Sequence, residues 1–67
     1  MFGIEWLKSG SPVEKETSVS MIEADAISGA RARAAGVIKR HPGTEPDSFR
    51  LSDATGRVIG VFPIAVR

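Results

Sequence analysis

Cysteine is missing from this chain altogether, and histidine occurs once, as His41. The first absence excludes disulfides and thiolate metal sites; the second excludes a histidine cluster. Asparagine and glutamine are missing too, which removes the amide side chains that read adenine edges in DNA. No apolar run approaches the roughly 20 residues of a membrane-spanning helix. The opening residues Met1-Phe2-Gly3-Ile4-Glu5 lack the basic n-region and long apolar h-region of a signal peptide. These absences lead us to expect an unprocessed cytoplasmic protein with no membrane partner.

What is present is ordinary for a globular chain: 42% hydrophobic and 25% charged residues over 67 positions. That length makes residues 1–67 a single domain. Folding of so short a chain buries only about 60% of the surface exposed when unfolded, so such domains often depend on a further support. With disulfide and thiolate metal site excluded, oligomerisation is the expected support. The formal net charge is +1, but its distribution is uneven. Residues 1–30 carry five acidic against two basic side chains, and residues 31–67 carry seven basic against three acidic.

Phe2 to Lys8 alternates, with Phe2, Ile4 and Trp6 opposite Gly3, Glu5 and Leu7, the pattern of a half-buried strand. Ser9-Gly10-Ser11-Pro12 reads as a turn. Lys15 to Ile22 alternates again, with Thr17, Val19 and Met21 opposite Glu16, Ser18 and Ser20, and predicts the second strand of a hairpin. Ser20-Met21-Ile22-Glu23 fits a capping box. The helix it opens is predicted from Glu23 or Ala24 to Arg40, with Ile27, Ala30, Ala34, Val37 and Ile38 on its apolar face and Pro42-Gly43 as its stop. A strand over Ser48–Ser52, a turn at Asp53-Ala54-Thr55-Gly56 and a last strand over Arg57–Val66 complete the chain. The expected fold is α+β, β-β-α-β-β: one small, mostly antiparallel sheet with a single helix packed on one face. The expected core is Phe2, Ile4, Trp6, Ile27, Ala34, Ile38, Phe49 and Leu51.

Three stretches, Phe2–Trp6, Ala24–Arg40 and Phe49–Gly60, give the chain a pattern that resembles small uncharacterised bacterial families in which two hairpins flank one alanine- and arginine-rich helix. The resemblance implies the β-β-α-β-β fold and a bacterial source. Those families are of unknown function, so it implies no chemistry.

The motifs of common chemistries are missing. There is no P-loop and no Gly-x-Ser-x-Gly elbow, and Asp53-Ala54-Thr55-Gly56 lacks the further ligands of a calcium loop. His41 follows a helix C-terminus, where an imidazole is favoured by the dipole and by unpaired carbonyls, so capping accounts for it before general-base catalysis does. A chain this small is also a poor frame for a walled pocket. No catalytic residue, cofactor, metal or small-molecule substrate is expected, and an enzyme is the least favoured class.

Two binding classes remain. Arg31, Arg33, Lys39, Arg40, Arg50 and Arg57 are the contacts a nucleic-acid-binding domain would use. Against that stand a pI of about 8.3, the missing amides, and cations that form no single stripe on the helix. The favoured class is a non-enzymatic protein-interaction module acting as a homodimer. Its last strand sets Val58, Gly60, Phe62 and Ile64 opposite Ile59, Val61 and Ala65; both faces are apolar, whereas one helix covers only one face of a sheet. Ile59, Val61 and Ala65 are therefore the candidate interface. Gly29, Ala32 and Gly36, which leave a smooth strip on the helix, are the rival.

Overall fold

A computed structural model describes residues 1–64. The elements are β1 (Phe2–Lys8), β2 (Ser11–Ser18), α1 (Glu23–Arg40), β3 (Ser48–Ser52) and β4 (Val58–Pro63). All neighbouring strands are antiparallel, in the order β2-β1-β3-β4. The fold is β-β-α-β-β, an α+β architecture, with β2 and β4 as the edges.

β1 and β2 are joined by only two residues. Ser9 and Gly10 both take positive φ, 51° and 84°, the requirement of the tight hairpin turn whose twist matches that of its strands. Pairing therefore begins at Lys8 and Ser11, four residues earlier than the predicted start at Lys15. The strand ends at Ser18, and Val19 and Met21 are exposed. The predicted capping box does not form either. Ile22 occupies the N-cap with no side-chain bond, and its carbonyl accepts from the N–H groups of Asp25 and Ala26 at 3.1 Å each. Ser20 instead donates its N–H to Ser18 Oγ at 3.3 Å.

The core lies between α1 and one face of the sheet. It comprises Ile4 and Trp6 of β1, Phe49 and Leu51 of β3, and Ala26, Ala30, Ala34 and Val37 of the helix. Phe2 and Ile27 pack against it half-buried, and Ile38 is also half-buried, so the helical stripe is centred on alanines rather than on isoleucines. Small side chains there let the helix backbone approach the sheet. Cross-strand register aligns Trp6, Phe49 and Phe62 on the core face. Successive ring centroids are 5.4 Å apart, within the range in which aromatic pairs add to simple burial.

Each edge strand carries a bulge. In β2 the register shifts between Trp6 and Leu7, leaving Val13 as the extra residue. In β4 it shifts between Leu51 and Ser52, leaving Ile59 as the extra one. Both extra residues pack against the core. Asp47 ties the loop after the helix to the sheet. Its N–H donates to Leu7 O at 2.8 Å, its carbonyl accepts from Ile64 at 3.0 Å, and its carboxylate accepts from Ser9 N at 3.1 Å.

Candidate interaction surfaces

The bulge in β4 corrects the expected candidate interface. Simple alternation assigned Ile59, Val61 and Ala65 to one face. The extra residue instead turns Ile59 toward the core, and Val58 and Val61 are left 51% and 56% exposed. Ala65 lies outside the described residues. Of the three, Val61 alone is shown facing solvent.

On the face away from the helix, Val61 ends a row that crosses all four strands: Lys15, Glu5, Arg50, Val61. Glu5 is the centre of its charge. Arg50 donates to Glu5 Oε1 from Nε at 2.7 Å and also from Nη2, while Lys15 Nζ stands 3.7 Å from Oε2. The neighbouring row is Thr17, Gly3, Ser52, Val58. Above Gly3 lies a broad, shallow hollow of about 400 Å³ lined by Glu5, Lys15, Thr17 and Ser52 among others. These two rows are thus largely polar, with their apolar side chains at the β4 edge; the next row, Pro12, Leu7, Ser48 and Pro63, holds Leu7, which is buried.

Among the described residues β4 ends the sheet, so one side of its backbone has no neighbouring strand there. Ile64 donates to Asp47 O, and residues of an antiparallel strand alternate in the direction of their backbone groups. Gly60 and Phe62 therefore pair inward with β3, and the N–H and C=O of Val61 point outward. Pro63, which has no N–H to offer, follows; its carbonyl lies 3.4 Å from Arg31 Nη1.

The rival strip on the helix is already in use. A Cβ at Gly29 would stand 3.1 Å from Arg33 Nη1, and one at Gly36 would stand 3.8 Å from Arg40 Nη1. Each glycine lies one helical turn before an arginine whose side chain folds back over it on the way to β2. Arg33 Nε reaches Glu16 Oε1 at 2.7 Å, and Arg40 Nη2 reaches Glu14 Oε2 at 2.6 Å. Ala32 is exposed beside this strip.

Those pairings also disperse the expected nucleic-acid contacts. Arg33, Arg40 and Arg50 are each bound to a glutamate, and Arg31 lies 6.0 Å from the centroid of the Phe49 ring. Among the described residues, Lys39 and Arg57 have no ion-pair partner; Lys39 lies on α1 and Arg57 in the connection just before β4.

Glu14 gathers two partners from the end of the helix. Besides Arg40, it stands 2.8 Å from His41 Nε2. The Arg40 guanidinium, followed by His41, holds the Glu14 carboxyl below the usual carboxylate range, and Glu14 in turn raises Arg40. His41 also caps the helix through its own N–H, which donates to Ile38 O at 3.2 Å. Among the described residues, no three His, Cys, Asp or Glu side chains are placed to hold a metal, and no buried side-chain polar atom lacks a partner. No described helix is long and apolar enough to cross a membrane.

No family model, curated protein or solved structure matches the chain.

Proposed function

We propose that this chain is a non-enzymatic protein-interaction module that acts as a homodimer through β4, in the cytoplasm. The observation that carries this reading is the coincidence, at one sheet edge, of an unpaired strand and exposed valines. Among the described residues, β4 has no neighbouring strand on its outer side, and Val58 and Val61 are the large apolar side chains exposed on the sheet. A domain this small also gains support from a second copy. The outer hollow is too shallow and open to wall in a small molecule, and Glu5, Glu14 and Glu16 are each engaged in ion pairs; both favour a role in contact over one in chemistry.

The nucleic-acid reading is weaker because three of its six cations are bound to carboxylates. Sedimentation across a wide concentration range tests the homodimer. The expected result is a mass that rises to twice 7.1 kDa by high micromolar concentration, with little dependence on salt. A mass that stays monomeric there overturns it. DNA or RNA binding that survives competitor and falls steeply with salt would promote the alternative.

A further inference from the structure

We infer that the two-fold axis of this dimer passes beside Val61, so that two β4 strands pair antiparallel and the two sheets become one eight-stranded sheet. This rests on the homodimer reading above and adds its register.

Four features lead to it. First, the outward N–H and C=O of Val61 are self-complementary. Two such residues facing each other across a two-fold axis exchange both main-chain bonds. Second, the straight part of the edge is bracketed. Ile59 is displaced by its bulge and Pro63 has no N–H, so Val61 is the outward residue that is both undistorted and able to donate. Third, the side chains beside the axis are compatible. Val61 meets Val61 of the second copy, and each flanking Arg50 is already bound to its own Glu5, so no unpaired like charges meet. The polar row then runs Lys15, Glu5, Arg50, Val61 and back through the second copy in reverse order. Both helices fall on the other side of the joint sheet. Fourth, the opposite edge differs in charge. Both edge strands carry a proline and a bulge, but β2 adds the outer-face Lys15, a charge that blunts an edge, where β4 carries Val58 and Val61. Pairing of β4 with its own copy uses the same edge of both chains, so association closes at a dimer.

The absence of cysteine makes the register directly testable. Val61→Cys and Val58→Cys are each exposed to mild oxidation at a concentration where the wild type is dimeric. Val61→Cys is expected to form an interchain disulfide in most of the protein, because facing residues in such a pair lie about 5.5 Å apart between Cα atoms, within disulfide reach. Val58→Cys, three positions away on each chain, is expected to remain mostly reduced. A dimer in which Val58→Cys cross-links and Val61→Cys does not overturns the register and leaves the homodimer standing; a monomeric wild type overturns both. Val61→Pro provides a measurement without oxidation. It removes the outward N–H and no bond to β3, so it should keep the helical circular dichroism of the wild type and sediment as a monomer. A folded Val61→Pro variant that dimerises as tightly as the wild type overturns the proposed pairing.

Discussion

Trp6 Nε1 donates to Glu16 Oε2 at 2.7 Å, and the other oxygen of that carboxylate takes Arg33 Nε at the same distance. A glutamate thus faces the helix because the buried indole needs an acceptor and the helix supplies a cation. Glu16→Leu leaves the indole N–H without a partner and should cost about 1–3 kcal/mol. Glu16→Gln keeps an acceptor and should cost less. Urea unfolding followed by the emission of Trp6, the single tryptophan, separates the two. Equal stability of Glu16→Leu and the wild type would remove the bond from the stability of the fold.

Phe49 is fully buried and touches aromatic rings on both neighbouring strands. Phe49→Ala should cost about 3–5 kcal/mol. In a domain with a total stability near ~5 kcal/mol, that leaves the variant largely unfolded at 25 °C. A sharp melting transition close to that of the wild type would contradict this placement.

Two strand glycines should respond in opposite directions. A Cβ at Gly60 would come within 3.3 Å of Phe62 Cζ, whereas one at Gly3 would meet only Ser52 Cβ at 4.0 Å. Gly60→Ala should destabilise by displacing the Phe62 ring. Gly3→Ala should stabilise by about 0.4–1 kcal/mol, since it restricts the unfolded chain at a site with room for a methyl group. Paired thermal melts decide the signs.

Acid should weaken the fold through its carboxylates. Glu14 is held low chiefly by Arg40, and Asp53 is held low first by the Thr55 hydroxyl, at 2.6 Å, and then by the Arg57 N–H. A carboxylate whose folded pKa lies below its unfolded value contributes fully above the unfolded value, about 4. That contribution is lost as pH falls through the folded value. Denaturation midpoints should therefore be flat with respect to these two groups above about pH 5 and fall below about pH 4. Glu14→Gln should lessen the fall, and an unchanged acid slope in that variant would remove Glu14 from the cause.

The helix, β1, β3 and the Asp53–Gly56 turn were legible because each is written in local pattern: periodicity, β-branched or aromatic alternation, and an aspartate and glycine at fixed offsets. β2 was misplaced because Ser9 takes positive φ, which favours glycine or asparagine, and so conceals a two-residue turn. The alternation of Thr17, Val19 and Met21 looked like a continuing strand, but it crosses the end of β2 into the exposed approach to the helix. Glu14 and Glu16 face inward for partners far along the chain, which local pattern does not carry. Neither bulge was visible, and the one at Ile59 divided the candidate interface. Its exposed member, Val61, was legible from the apolar character of the last strand.

The helix is fastened to the sheet by different forces on its two flanks. Toward β1 and β3 it rests on buried alanine, valine and aromatic surface; toward β2 it is held by Glu14 and Glu16 against Arg40, His41 and Arg33. Salt shortens the reach of charge, to about 3 Å at 1 M, and leaves apolar packing in place. As salt is raised, the β2 side is therefore expected to open first. Amides that β2 shares with β1 should lose protection against hydrogen exchange as salt is raised, while those between β1 and β3 keep theirs until the whole molecule unfolds.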